Sequence, residues 1–236
     1  MKNIIFIYGH LGLGDQIACN GIIRAYTEKY DKVNVFTKPN NLKNVCRMFS
    51  DNSKISIISM SEPEVRQFMS ISPNNNYLIV GHEKLHKELA KDENGRFDQI
   101  FYKMADVPFK DKWNKFYLHR DIESEKDVFY NKLKLKDDEE FIFVHDDKER
   151  SIPLNRLSKN IKIIKPDRKD ISIFDFLYTI EKAKEVHCID SSFFNLIDCI
   201  QLRSDDQLFF HKYVKIHLVG EGGTPTSKLK WKIIEK

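Results

Sequence analysis

The sequence has little of what usually assigns a protein quickly. Its 236 residues include four cysteines, and none stands in a Cys-x-x-Cys pair. A zinc knuckle or a redox dithiol needs that spacing, so neither is expected. Cys19, Cys188 and Cys199 lie in apolar segments and read, with Cys46, as reduced thiols of a cytoplasmic protein. No apolar run approaches the roughly 20 residues of a membrane span, and the first, residues 4–8, is too short for the core of a secretion signal. Aspartate pairs occur only as neighbours, at Asp137-Asp138, Asp146-Asp147 and Asp205-Asp206. Without an Asp-x-Asp, no carboxylate pair is set to share a divalent ion with a diphosphate, and no metal is expected. The segment "HKYVKIH" (211–217) has two histidines but no cysteine or carboxylate at ligand spacing, which disfavours zinc. A Gly-x-Ser-x-Gly elbow, low-complexity tracts and short-period repeats are also missing. The net charge is only +4, with lysines interleaved among acids. That pattern carries no basic-aromatic stripe, and no nucleic-acid partner is expected.

What is present is a rhythm. Short apolar runs at 4–8, 33–37, 54–58 and 77–80 alternate with helical patterns at 15–30, 41–49 and 62–69. The last of these opens on "SEPE", with Pro in the first turn. A less regular middle carries Phe109, Trp113, Phe116 and Tyr117 in a connecting segment, 107–121. The rhythm then restarts with strands at 141–145, 161–164, 185–190 and 215–219. Ser172 is an expected N-cap, and a helix is expected over 191–200. Such alternation implies parallel sheets covered by helices. Two α/β halves follow, 1–122 and 123–236, as Rossmann-like parallel-sheet domains facing a cleft. Ligands of such sheets bind beyond the carboxyl ends of the strands. Those ends hold much of the chain's glycine and reactive polar side chains.

The densest of these loops is "FIYGHLGLGDQIACNGIIRAY" (6–26). Its order, Gly9-x-x-Gly12-x-Gly14, is not the Gly-x-Gly-x-x-Gly of a dinucleotide site, and the second strand ends in "FTKPN" without the acidic residue a ribose needs. Gly14 is followed by Asp15, not by the Lys-Ser/Thr of a P-loop, and a carboxylate there repels a phosphate. Asp15 reads as a helix N-cap or as a carboxylate held ready to take a proton from a substrate hydroxyl. One residue can do both.

The segment "GHLGLGDQIACNGIIRA" resembles the N-terminal motif of the heptosyltransferase-like glycosyltransferases (family 9), which have the GT-B fold. There a strand leads into a small-x-Gly-Asp turn and a helix. "AKEVHCIDSSFFNLID" (183–198) resembles the donor-binding turn of the same family, with Asp190, Ser191 and Ser192 in the matching places. The resemblance implies an inverting, metal-independent transfer of a sugar from a nucleotide-diphosphate donor to a glycan or lipid-linked acceptor. It needs no cofactor beyond that co-substrate. Asp15 becomes the catalytic base. Gly12, Gly14 and Gln16 fall on the acceptor side. From position alone, His10 in the glycine loop and His82 after a strand end with Gly81 read as contacts for a substrate hydroxyl or phosphate, or as plain surface histidines. The family's second motif continues with Gly and His, whereas Phe193, Phe194 and Asn195 follow here. The chain is also shorter than typical members. Both departures leave open a nucleotide- or sugar-binding module derived from such an enzyme.

Other candidates come from position alone. His145, Lys148 and Arg150 in "HDDKERSIP" follow a strand, where cations can neutralise a leaving diphosphate; the plain alternative is a solvated charge run. Lys165 and Arg168 follow the next strand. Asp190, Ser191 and Ser192 stand at a helix start, where backbone N–H groups attract anions. Glu221 lies in a glycine loop and is a candidate for donor hydroxyls. The tail "SKLKWKIIEK" alternates Leu229, Trp231 and Ile233 with lysines. It reads as a strand packing on the body, or as a weak peripheral contact with an anionic membrane surface.

Overall fold

Among the described residues the short apolar runs become parallel strands, and the central ones are buried on both faces. A computed structural model of the chain describes residues 3–89, 96–153, 155, 157–167, 170–203, 206–212 and 226–235. The strand expected at 215–219, Glu221 and Arg168 lie outside the described residues.

The first unit comprises Met1–His119 and is joined by Thr226. Its elements are β1 (Ile4–Tyr8), α1 (Leu13–Ala18), α2 (Asn20–Tyr26), β2 (Lys32–Thr37), a 3-10 turn (Pro39–Asn41), α3 (Leu42–Met48), β3 (Ile55–Ser59), α4 (Glu62–Ile71), β4 (Asn76–Ile79), α5 (His82–Leu89), α6 (Phe97–Met104) and α7 (Asp111–Asn114). The strands form one parallel sheet in the order β3-β2-β1-β4. Alternation along β1 explains the burial. Ile7 packs with Ile22, Ile23 and Val35 on one face, while Phe6 and Tyr8 join Phe36, Val65 and Phe68 on the other. A strand buried on both faces loses the alternating polar pattern of an exposed sheet. Helix α4 starts where "SEPE" places it, because Ser61 and Glu64 form a reciprocal capping box.

The helix expected over 15–30 is interrupted at Cys19. There the Ala18 carbonyl accepts the Tyr102 hydroxyl hydrogen at 3.0 Å. Gly21 follows, and a Cβ on it would lie 2.1 Å from the Asp111 carbonyl oxygen. Glycine is what allows α2 to lie against the backbone of α7. The segment read as a connection, 107–121, thus contains a packed helix.

The second unit comprises Arg120–Val214 and Ser227–Lys236. It contains α8 (Ile122–Asp127), a π-helical turn (Val128–Lys132), β5 (Phe141–His145), β6 (Lys162–Ile164), a 3-10 turn (Ile173–Phe176), α9 (Leu177–Lys182), β7 (Glu185–Ile189), α10 (Ser192–Ile200), β8 (Leu208–Lys212) and β9 (Lys232–Glu235). All strands pair in parallel, in the order β6-β5-β7-β8-β9. Phe143, Phe176, Cys188, Phe193, Phe194 and Phe210 fill one face; Ile142, Val144, Ile152, Leu157 and Ile189 fill the other. Ser172 accepts the Phe174 amide hydrogen, as its capping role requires. The tail is a strand: Leu229 and Trp231 pack on this core, and the Trp231 ring lies 4.8 Å from that of Phe194. The four cysteines are free thiols, three of them buried.

Two boundaries differ from the sequence reading. The units divide between His119 and Arg120 rather than at 122. Thr226 belongs with the first unit, although 123–236 read as one domain. Its amide and hydroxyl donate to the Asp98 carboxylate at 2.9 and 3.0 Å. The Lys112 ammonium donates to Asp98 at 2.7 Å and to the Thr226 carbonyl at 2.6 Å. One residue further on, the Asp198 carboxylate on α10 accepts the Ser227 hydroxyl and the Lys228 and Leu229 amides, at 2.5, 2.9 and 2.9 Å.

Candidate active site

In each sheet the strand order reverses once. In the first, the chain runs outward from β1 through β2 to β3 and then crosses to β4 on the far side of β1. In the second, β5 and β7 play the same part. Loops leaving two such strands diverge, and the crevice they leave is where open α/β sheets take ligands. Among the described residues, the expected site residues fall on these four loops or on the first turn of the helix that follows: 9–16 after β1, 81–82 after β4, 145–150 after β5 and 190–192 after β7.

At the first reversal the structure brings together His10, Asp15 and His82. The His82 amide donates to His10 Nε2 at 2.8 Å, and His82 Nε2 lies 3.1 Å from the Gly9 carbonyl oxygen. His10 Nδ1 stands 3.8 Å from Asp15 Oδ2. The His82 ring also packs against that of Tyr8, with centroids 4.1 Å apart and the planes tilted by 31°. Burial, and then the neighbouring His10 ring, holds His82 below the ordinary imidazole value. Two left-handed residues shape this loop, Gly81 at φ 87° and His82 at φ 57°. A Cβ on Gly81 would lie 2.8 Å from the His10 ring, so glycine is required there twice over. His10, Asp15 and Gln16 also line a small pocket of about 10 Å³, room for about one water, whose wall is Ile7, Ile22, Ile23, Val35 and Val80.

Asp15 is not the N-cap. Gly12 holds that position without a side-chain cap, and Asp15 sits in the first turn of α1. The helix N-terminus there favours its charged form. A Cβ on Gly12 would approach Asp15 Oδ2 to 3.1 Å, so the bare Gly12 leaves room for the carboxylate. Gly14 is helical, not part of the loop. Gln16 is 3% exposed, and its amide donates to the Phe36 carbonyl at 3.0 Å and the His10 carbonyl at 3.4 Å. Its amide group therefore braces the loop.

At the second reversal His145 Nδ1 and Ser191 Oγ share a hydrogen bond of 2.9 Å. Ser191 is the N-cap of α10 and accepts the Phe194 amide hydrogen; Ser192 is the first helical residue. Arg150 donates to the Asp190 carbonyl at 3.0 Å and to the Asp147 carboxylate through Nε and Nη2 at 3.0 and 2.6 Å. "HDDKERSIP" is therefore no loose charge run. Asp147 also accepts the Glu149 and Arg150 amides, while Asp146 accepts the Ile152 amide and the Lys165 ammonium. Burial alone would raise the Asp147 carboxyl, but the Arg150 contacts outweigh it and hold it low. Lys148 is exposed on this loop. The missed signal was the Asp146-Asp147 pair: two short acceptors opening a loop are well placed to bond its amides. Among the described residues no group of three or more His, Cys, Asp or Glu side chains forms a metal-ligand set, and no helix is long and apolar enough to cross a membrane.

Burial pushes His145 down from 6.5 to about 4, so its ring is neutral at neutral pH. The unfolded chain binds that proton below 6.5, the folded one only near 4. Stability from this group is complete above 6.5 and drains away as pH falls towards 4. The protein is expected to be about 2 kcal/mol less stable at pH 5 than at pH 7 on this account. Urea unfolding at the two pH values checks it. His145→Asn should flatten the dependence by that amount; an unchanged slope would remove His145 as its source.

Two tandem, doubly wound α/β units with polar groups gathered at their reversal points define the class of fold. No protein-family model matches the chain, and no curated protein matches it. Solved structures do. The glycosyl transferase family 9 structure from Veillonella parvula DSM 2008 aligns over 100% of this chain and 86% of its own, with TM-score 0.59 and 8% identity. E. coli ADP-heptose LPS heptosyltransferase II aligns over 99% of this chain and 90% of its own, with TM-score 0.53 and 12% identity. The chain shares their α/β architecture of two parallel sheets, the GT-B-like fold that the sequence resemblance implied.

Proposed function

We propose that the protein is a glycosyltransferase that moves a sugar from a nucleotide-diphosphate donor to a hydroxyl of a glycan or lipid-linked acceptor. The acceptor binds on the first unit, at the pocket mouth formed by His10, Asp15 and His82. Asp15 takes the hydroxyl proton as that oxygen forms its bond to the anomeric carbon. The bond from that carbon to the diphosphate oxygen breaks in the same displacement, with inversion, and the nucleoside diphosphate leaves. The second unit binds the donor. Arg150, Lys148 and the N-terminus of α10 at Ser191 and Ser192 offset the diphosphate charge without a metal, and His145 and Asp190 border that site.

The observation that carries this reading is the position of Asp15. It is a carboxylate in a helix first turn, at a strand-order reversal, on the lip of a pocket. The fold shared with two glycosyltransferases supports it. One observation favours a binding module without turnover: Phe193 packs 4.6 Å from the His145 ring, where the resembled enzymes carry a small residue.

Melting temperature against UDP, GDP, ADP and CMP tests the donor site. Ligand at 100 times its dissociation constant adds about 2.7 kcal/mol, or roughly 5–10 °C for a chain of this size. One nucleotide should give such a shift and Arg150→Ala should abolish it. No shift with any of the four would remove the donor site from the proposal.

A further inference from the structure

We infer that His10 is a positioning residue locked in a single neutral tautomer, with its one ring hydrogen turned to the Asp15 carboxylate. The inference rests on the reading of Asp15 as the base.

A neutral imidazole carries one hydrogen, on Nδ1 or on Nε2. Here Nε2 accepts the His82 amide hydrogen at 2.8 Å, so it holds none of its own. The hydrogen lies on Nδ1, which faces Asp15 Oδ2 at 3.8 Å. Catalytic hydrogen bonds are commonly long before substrate arrives and tighten in the complex. The ring has little room to turn. Gly81 lies so close that even a Cβ there would meet it at 2.8 Å, and Phe101 stands edge-on at 5.4 Å. The amide that sets the tautomer is itself fixed, because His82 Nε2 reaches back to the Gly9 carbonyl and the Tyr8 ring backs the imidazole. Two left-handed residues in succession, Gly81 and His82, point that amide at His10.

Among the described residues, Asp15 of α1, His82 at the start of α5 and the uncharged Phe101 of α6 face His10; Glu62 and Arg66 of α4 bear on His82. A second proton on His10 would have to displace the His82 amide from Nε2. His10 therefore does not compete with Asp15 for the acceptor proton. It orients the carboxylate through Nδ1–H.

Nitrogen NMR of the full chain labelled with [15N]histidine tests the lock directly, with His10→Asn identifying the signal. The expected spectrum shows a neutral ring with hydrogen on Nδ1 from pH 8 down to pH 6. Hydrogen on Nε2, or a ring cation by pH 6, overturns the inference whatever reaction the protein catalyses. In a transfer assay His10→Ala should lower kcat roughly 10- to 100-fold with little change in KM, as loss of positioning does. His10→Asn keeps a donor near the Nδ1 position and should restore most of the rate. His10→Gln places its amide further out and should not. Equal rates for His10→Ala and wild type, with Asp15→Asn inactive, make His10 idle. Full activity of Asp15→Asn instead removes the base assignment, and the NMR result still decides the tautomer.

Discussion

Asp15→Asn is expected to lower sugar transfer by about 10²–10⁴-fold, the usual worth of a positioned general base. Asparagine keeps the size of the side chain and removes its ability to take a proton. The loss should fall on kcat, with nucleotide binding intact, because the donor contacts proposed here lie on the other unit. Folding should be nearly unchanged. The N-cap position belongs to Gly12, and the favourable interaction of the Asp15 carboxylate with the start of α1 is worth roughly 0.3–1 kcal/mol. The assay is turnover with the nucleotide sugar whose nucleotide raises the melting temperature, with melting of the variant as control. A wild-type rate would refute Asp15 as the base. Selective nucleotide binding without turnover in the wild type would favour the binding module.

The second large effect lies in the core of the first unit. Asp98 and Lys112 are both 0% exposed and form an ion pair of 2.7 Å. Two charges in an apolar interior survive only when each is fully bonded. Asp98 takes its remaining hydrogen bonds from the Gln99 and Thr226 amides and the Thr226 hydroxyl. Lys112 gives one to the Thr226 carbonyl and lies over the Phe109 and Trp113 rings. Lys112→Met removes one partner and leaves a buried carboxylate without its cation, so a loss of about 3–5 kcal/mol is expected in urea unfolding. The double change Asp98→Leu with Lys112→Met should cost less than Lys112→Met alone, since no lone charge remains. A single-variant loss below about 1 kcal/mol would mean that water or rearrangement compensates the charge.

The fold was legible because parallel strands buried on both faces must be continuous apolar runs, and those runs are what a sequence displays. Strands β1, β5 and β7 stand where the runs at 4–8, 141–145 and 185–190 placed them. Strand β8 was not recognised, since Leu208–Lys212 ends in His and Lys and its register depends on β7 and β9 across the sheet. Helix α7 was also missed: four residues carry too little periodicity to stand out from the aromatics around them. Lys112 reads as a surface lysine until Asp98 and Thr226, far apart in sequence, are seen to meet it. The loops of the candidate site were legible from their glycines and their places after strands. The function of Gly81 was not: nothing local says that the ring of His10 will lie against it. Gln16, next to Asp15, read as a contact for substrate, and only the Phe36 carbonyl on the neighbouring strand β2 shows that its amide also braces the loop.

The grip of Asp98 on Thr226 and of Asp198 on Ser227 bears on how the chain is made. Synthesis proceeds from the N-terminus, so both carboxylates emerge from the ribosome long before their donors. Until residues 226–229 follow, Asp98 has only part of its final set of hydrogen bonds, and the buried Asp198 lacks the donors that stand at 2.5–2.9 Å in the finished fold. Over the same interval β8, with the sequence "LFFHK", is an open sheet edge, since its neighbour β9 (Lys232–Glu235) follows it in the chain. Exposed apolar strand edges recruit other strands. Residues 226–235 thus complete both units after the rest of each has been made, and a nascent chain that lacks them is exposed to misassociation at that edge.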